Sequence, residues 1–95
     1  MAKRVIVTSA DGFTPIRVGI REARIMAAVY MFGPQDNKEL CAYTYHDVSV
    51  CANVTFKLYK AGVLDRTERR PYRYFTDENK YRIFLCMLLL NNKGT

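Results

Sequence analysis

Between Asp47 and Gly62 the chain carries a segment with one good way to fold. From Val48 onward, Cys51, Val54 or Thr55, Leu58 and Ala61 recur at three- and four-residue intervals, the spacing of one face of an α-helix. Asp47 is a residue type that accepts backbone N–H bonds at a helix start, and Gly62 is one that takes the positive φ closing a helix end. A helix over 48–61 is therefore predicted, and its neighbours must cover that apolar stripe.

Those neighbours are short. Thr14-Pro15 suits the start of a helix beginning at Ile16 or Val18 and running to Phe32, where Gly33-Pro34 stops it. Its apolar face is expected to be Ile20, Ala23, Ala27, Tyr30 and Met31, continued by Ile16, with Arg17, Arg21 and Arg24 on a basic side. Asp36-Asn37 offers a cap for a short helix over 38–44 with Leu40 and Cys41 inward; Tyr45-His46-Asp47 then interrupts. Two β-like stretches, 63–67 and 72–76, flank the polar tip Glu68-Arg69-Arg70-Pro71 and predict a hairpin. Alternation there sends one of Tyr72 and Tyr74 outward and the other inward. Thr76 or Asp77 caps a last helix from Glu78 to about Leu90, striped by Tyr81, Phe84, Leu85, Leu88 and Leu89, before a tail over 91–95 that frays. Residues 4–9 are β-branched, and whether they form a strand or an arm stays open. The fold class predicted is α+β.

Ninety-five residues suffice for one hydrophobic core, so 1–95 is expected to be a single domain, with 1–14 as its N-terminal arm or strand. Cys41, Cys51 and Cys86 form an odd set without CxxC spacing and are expected to be reduced core residues of a cytoplasmic protein. The apolar run Ile83–Leu90 is too short for a membrane span, and the start MAKRVIV is no signal peptide.

The net charge of +6 is unevenly spread. Lys57, Lys60, Arg66, Arg69, Arg70 and Arg73 face only Asp65 and Glu68 within 57–73, which points to an anionic partner at one face. The segment KELCAYTYHDVSVCANVTFKLYKAGVL at 38–64, with Leu58, Lys60-Ala61-Gly62 and Val63-Leu64 closing it, resembles the core of a winged helix-turn-helix domain. The arginine-rich stretch ending RRPYRYFT resembles its wing, and the likeness covers roughly residues 16–90. Two departures stand out: the turn 45–47 lacks a glycine, and Thr55 takes the place of a larger apolar residue. Small size and unusual local choices are also reminiscent of phage or mobile-element regulators.

The resemblance implies a three-helix core, a β-hairpin wing and a C-terminal helix. It further implies double-stranded DNA as partner, read in the major groove by the helix at 48–61. Ser49, Val50, Asn53 and Lys57 would face base edges, Asn53 suiting adenine and Val50 a thymine methyl. Lys60, Arg66, Arg69, Arg70, Tyr72 and Arg73 would meet phosphates or the minor groove, neutralising roughly four phosphates per protomer. The last helix is apolar around nearly its whole girth, so Phe84, Met87, Leu88 and Leu90 are expected at a homodimer interface.

A transcriptional regulator is the function expected. A protein-interaction module (a phage-type inhibitor of a host protein) and an accessory factor in DNA replication, recombination or packaging would share fold and charge. Catalysis finds no support: there is one histidine, no GxSxG and no phosphate-cradling glycine loop. Cys41, His46 and Cys51 lack zinc-site spacing, so no metal, cofactor or small-molecule substrate is expected.

Overall fold

The computed structural model describes residues 16–92. In chain order the elements are α1 (Ile20–Phe32), α2 (Asn37–Thr44), α3 (Val48–Ala61), β1 (Asp65–Arg66), β2 (Tyr74–Phe75) and α4 (Glu78–Asn92). The architecture is α+β, four helices and a two-stranded antiparallel hairpin pairing Asp65 with Phe75 and Arg66 with Tyr74. The stretches 4–9 and Thr14-Pro15 lie outside the described residues.

Local chemistry sets each boundary. Gly19 is extended and its amide donates to the Glu22 carboxylate at 2.7 Å, so α1 starts at Ile20 rather than at Ile16 or Val18. Asp36 and Glu39 exchange reciprocal bonds with each other's backbone amides, at 2.8 and 2.9 Å, and this capping box launches α2. The helix ends on Tyr45 with φ 63°, a left-handed conformation that a glycine takes far more easily. α3 has the expected bounds, with Gly62 at φ 95° behind it, but Asp47 occupies the N-cap position without the expected side-chain hydrogen bond to the first turn. Asp77, not Thr76, caps α4 by accepting from the Lys80 amide at 2.8 Å, while the Thr76 hydroxyl donates to the Val63 carbonyl. α4 continues through Asn92, beyond the expected end near Leu90.

Every element except β1 sends side chains into one core, which includes Ile25, Met26, Val29, Leu40, Cys51, Leu58, Leu64, Tyr74 and Phe84. The expected face of α1 holds only in part: Ile16 and Ala23 pack against the core and Tyr30 stacks on Tyr81 of α4 with ring centroids 4.4 Å apart, but the fully buried side is another one. Ile25, Met26, Ala28 and Val29 are buried, whereas Ile20 and Met31 are 69% and 73% exposed. In α3, Cys51, Val54, Thr55, Leu58 and Ala61 are buried as the periodicity requires, but Val48 at the first turn is exposed. Thr55 fills its buried position by donating to Asn37 Oδ1 at 2.9 Å, which ties α3 to the start of α2. Of the three cysteines only Cys51 is buried, and burial pushes its thiol pKa up. Cys41 is half-buried and Cys86 exposed.

The hairpin is anchored on both sides. Gln35, in the loop between α1 and α2, exchanges both backbone bonds with Tyr74 at 3.0 and 2.8 Å. Lys80 of α4 pairs with Asp65 of β1. Among the described residues, no helix is long and apolar enough to cross a membrane.

Candidate nucleic-acid interface

The solvent face of α3 carries Ser49, Asn53, Phe56 and Lys60, spaced so that all four share one side of the helix. All four are exposed, with Phe56 at 50% and the Lys60 ammonium 5.8 Å from its ring centroid. Phe56 escaped the sequence reading. Its three-residue offset from Asn53 and seven-residue offset from Ser49 were the signal. Val50 departs from expectation, being half-buried against the core. Lys57 reaches across to α1 and pairs with Glu22 at 3.1 Å.

Burial of Glu22 disfavours its charged form. The Gly19 amide and the Lys57 ammonium outweigh that penalty and hold the carboxyl pKa below its ordinary value. Lys57 is thereby paired within the chain, at a position still partly open to solvent.

The hairpin is joined to α3 by stacked side chains. The Arg66 guanidinium lies over the rings of Tyr59 on α3 and of Tyr72 on the return limb, and Arg70 lies 5.5 Å from the Tyr72 ring. A hydrogen bond to Tyr74 raises the Arg66 pKa further, and Arg70, bonded to the Tyr72 side chain, lowers that phenol's pKa. Tyr74 is the buried tyrosine of the pair and Tyr72 the half-exposed one.

Thr67 closes the loop: its amide donates to the Arg73 carbonyl at 3.0 Å and its hydroxyl accepts from the Arg73 amide at 3.0 Å. Arg73 is turned inward along the protein surface. Its guanidinium bonds Glu39 at 2.9 Å and the Pro34 carbonyl at 3.1 Å, so it pins the hairpin to the helices instead of projecting from the tip.

Of the ten residues expected at a DNA surface, Ser49, Asn53, Lys60, Arg69 and Arg70 are exposed. Arg66 and Tyr72 form the stacked link, Lys57 and Arg73 are ion-paired, and Val50 packs inward. Two of the four hairpin arginines, Arg69 and Arg70, thus remain at the exposed tip. Lys38 adds a cation beside them, across a cleft of about 330 Å³ lined by Asp36, Asn37, Lys38, Arg70, Pro71 and Tyr72.

The expected dimer surface needs correction. Phe84 is fully buried and Met87 nearly so, both in the core of their own chain, so neither offers much surface to a partner. Leu88 is half-buried against the same core, while Leu90 is exposed and shares the outer surface with Leu85 and Leu89.

Among the described residues, no group of three or more His, Cys, Asp and Glu side chains is placed to hold a metal ion. Comparison with protein-family models, curated proteins and solved structures finds no match.

Proposed function

We propose that the chain is a winged helix-turn-helix protein that binds double-stranded DNA and regulates transcription without catalysing a reaction. α3 acts as the recognition helix and the hairpin as the wing. One observation carries this reading: the exposed row Ser49, Asn53, Phe56 and Lys60 on α3 is held to the arginine-tipped hairpin through the Tyr59–Arg66–Tyr72 stack. A helix of this width enters the major groove, and a neighbouring cationic finger meets the flanking backbone. Asn53 supplies the paired amide donor and acceptor that adenine's major-groove edge requires, while Arg69 and Arg70 neutralise phosphate charge. The net charge of +6 supports the same partner.

The exposed Leu85, Leu89 and Leu90 of α4 support a two-fold dimer, which would place two recognition helices on half-sites about one DNA turn apart. Selection from a random duplex library tests the reading. Enrichment of a common motif, arranged as a repeated half-site, is expected. Failure to retain duplex above competitor DNA would overturn it and favour the protein-interaction alternative.

A further inference from the structure

α1 carries two apolar faces, and only one of them is used by the core. The other leads into a shallow groove between α1 and α2, about 390 Å³ in volume, whose walls include Arg24, Ala27, Met31, Phe32, Tyr43 and Tyr45. Phe32 and Tyr43 stack with ring centroids 4.6 Å apart and both remain half-exposed or more. Tyr45 stands at the end of α2 in the left-handed conformation, yet its side chain is 91% exposed. Packing among the described residues therefore gives no return for the backbone strain of a bulky residue at a position suited to glycine.

Among the residues lining the groove, Arg24 is the charged one. Arg17, Arg21 and Arg24 are exposed, and none forms an ion pair with another described residue. Glu22, the acid nearest to them in sequence, faces α3 through Lys57. A second copy of this chain would bring its own Arg24 and net +6 to the contact, so self-docking here sets like charges together. Met31, Ala27 and the Phe32 and Tyr43 rings make the walls largely apolar, which suits the apolar side chains of a peptide better than a phosphate backbone.

We infer that this groove docks a short acidic segment of a different protein, with apolar side chains seated against Met31, Phe32, Tyr43 and Tyr45 and carboxylates paired to Arg24 and its neighbours. The size is that of a ligand-holding cleft, and aromatic residues beside arginine are the common anchors of protein contacts. The inference is independent of DNA binding, since it uses neither the α3 row nor the hairpin tip.

Panning a random dodecapeptide display library against the full chain tests it. Sequences combining Asp or Glu with large apolar residues are expected. The best of them, as a synthetic peptide, is expected to lose about fivefold or more in affinity against Tyr45→Gly and against Arg24→Glu. The double variant Arg69→Ala with Arg70→Ala is expected to bind it unchanged. Tyr45→Gly relieves strain, so thermal unfolding shows whether each variant is folded before binding is compared. No enriched peptide, equal binding by the Tyr45 and Arg24 variants, or loss of binding in the hairpin variant would each overturn the inference.

Discussion

The guanidinium carbon of Arg66 lies 4.2 Å from the centre of the Tyr59 ring, and the same group is 4.0 Å from the ring of Tyr72. An arginine from the first strand of the hairpin is thus held between a helix residue and a residue of the returning limb. This fixes the orientation of a two-residue-per-strand hairpin that is too short to be rigid alone. It also divides the arginines into those that build the hairpin, Arg66 and Arg73, and those at its tip, Arg69 and Arg70.

Arg73→Ala tests that division. Removing its bonds to Glu39 and the Pro34 carbonyl is expected to cost about 1 kcal/mol of stability, because both contacts are partly solvated. The salt dependence of DNA binding should stay as in the parent chain. Thermal unfolding and a salt titration together read both quantities, and a flattened salt slope without a stability loss would return Arg73 to the phosphate contacts.

Asn53→Ala is expected to cost about 1–3 kcal/mol on the selected DNA site and to relax a single base position. Binding to random duplex should barely change. Equal losses on both would mean that Asn53 touches only backbone. The same titration with Phe56→Ala shows whether the ring beside it contributes to base contacts or only covers the helix.

Acid should destabilise the fold through Glu22. Its folded pKa lies below the ordinary carboxylate value of 4.5, so the pair with Lys57 contributes fully above about pH 4.5 and is lost as pH falls through the lower folded value. Melting curves between pH 6 and pH 3 should show the parent losing more stability than Glu22→Gln. Parallel curves would show that the pair contributes nothing to acid sensitivity.

Phe84→Ala is expected to destabilise the monomer by about 3–5 kcal/mol, because the ring is wholly enclosed by its own chain. Leu89→Ser, by contrast, should leave the melting temperature nearly unchanged and shift sedimentation toward monomer, since Leu89 lies on the exposed side of α4. Sedimentation unaltered by Leu89→Ser would remove this helix from any dimer contact.

The parts of this fold written in local chemistry were legible from the sequence. Gly62 closes α3 with its positive φ, and the stripe from Cys51 to Ala61 has a single apolar side, although Asp47 makes no capping bond at the start. α1 misled because both its faces are apolar: Ile20, Ala27 and Met31 repeat at helical spacing as well as Ile25, Met26 and Val29 do, and periodicity alone does not say which side meets α2 and α3. Phe84 and Met87 posed the same problem on α4, where every position from Ile83 to Leu90 is apolar. The fates of Lys57 and Arg73 lay beyond any local pattern, since their partners Glu22 and Glu39 are 35 and 34 residues away in sequence. Charge counting therefore overstated the free cations of the hairpin.

The proposed function requires Arg69 and Arg70 to act with the exposed row of α3 on one duplex. Affinity for the selected DNA site, measured against salt for the parent and for Arg69→Ala with Arg70→Ala, tests it most directly. Each lost phosphate contact should reduce the log–log slope by about 0.9, so the double variant should bind more weakly with a slope shallower by about 1.8. Unchanged affinity and slope would exclude Arg69 and Arg70 from the DNA contact.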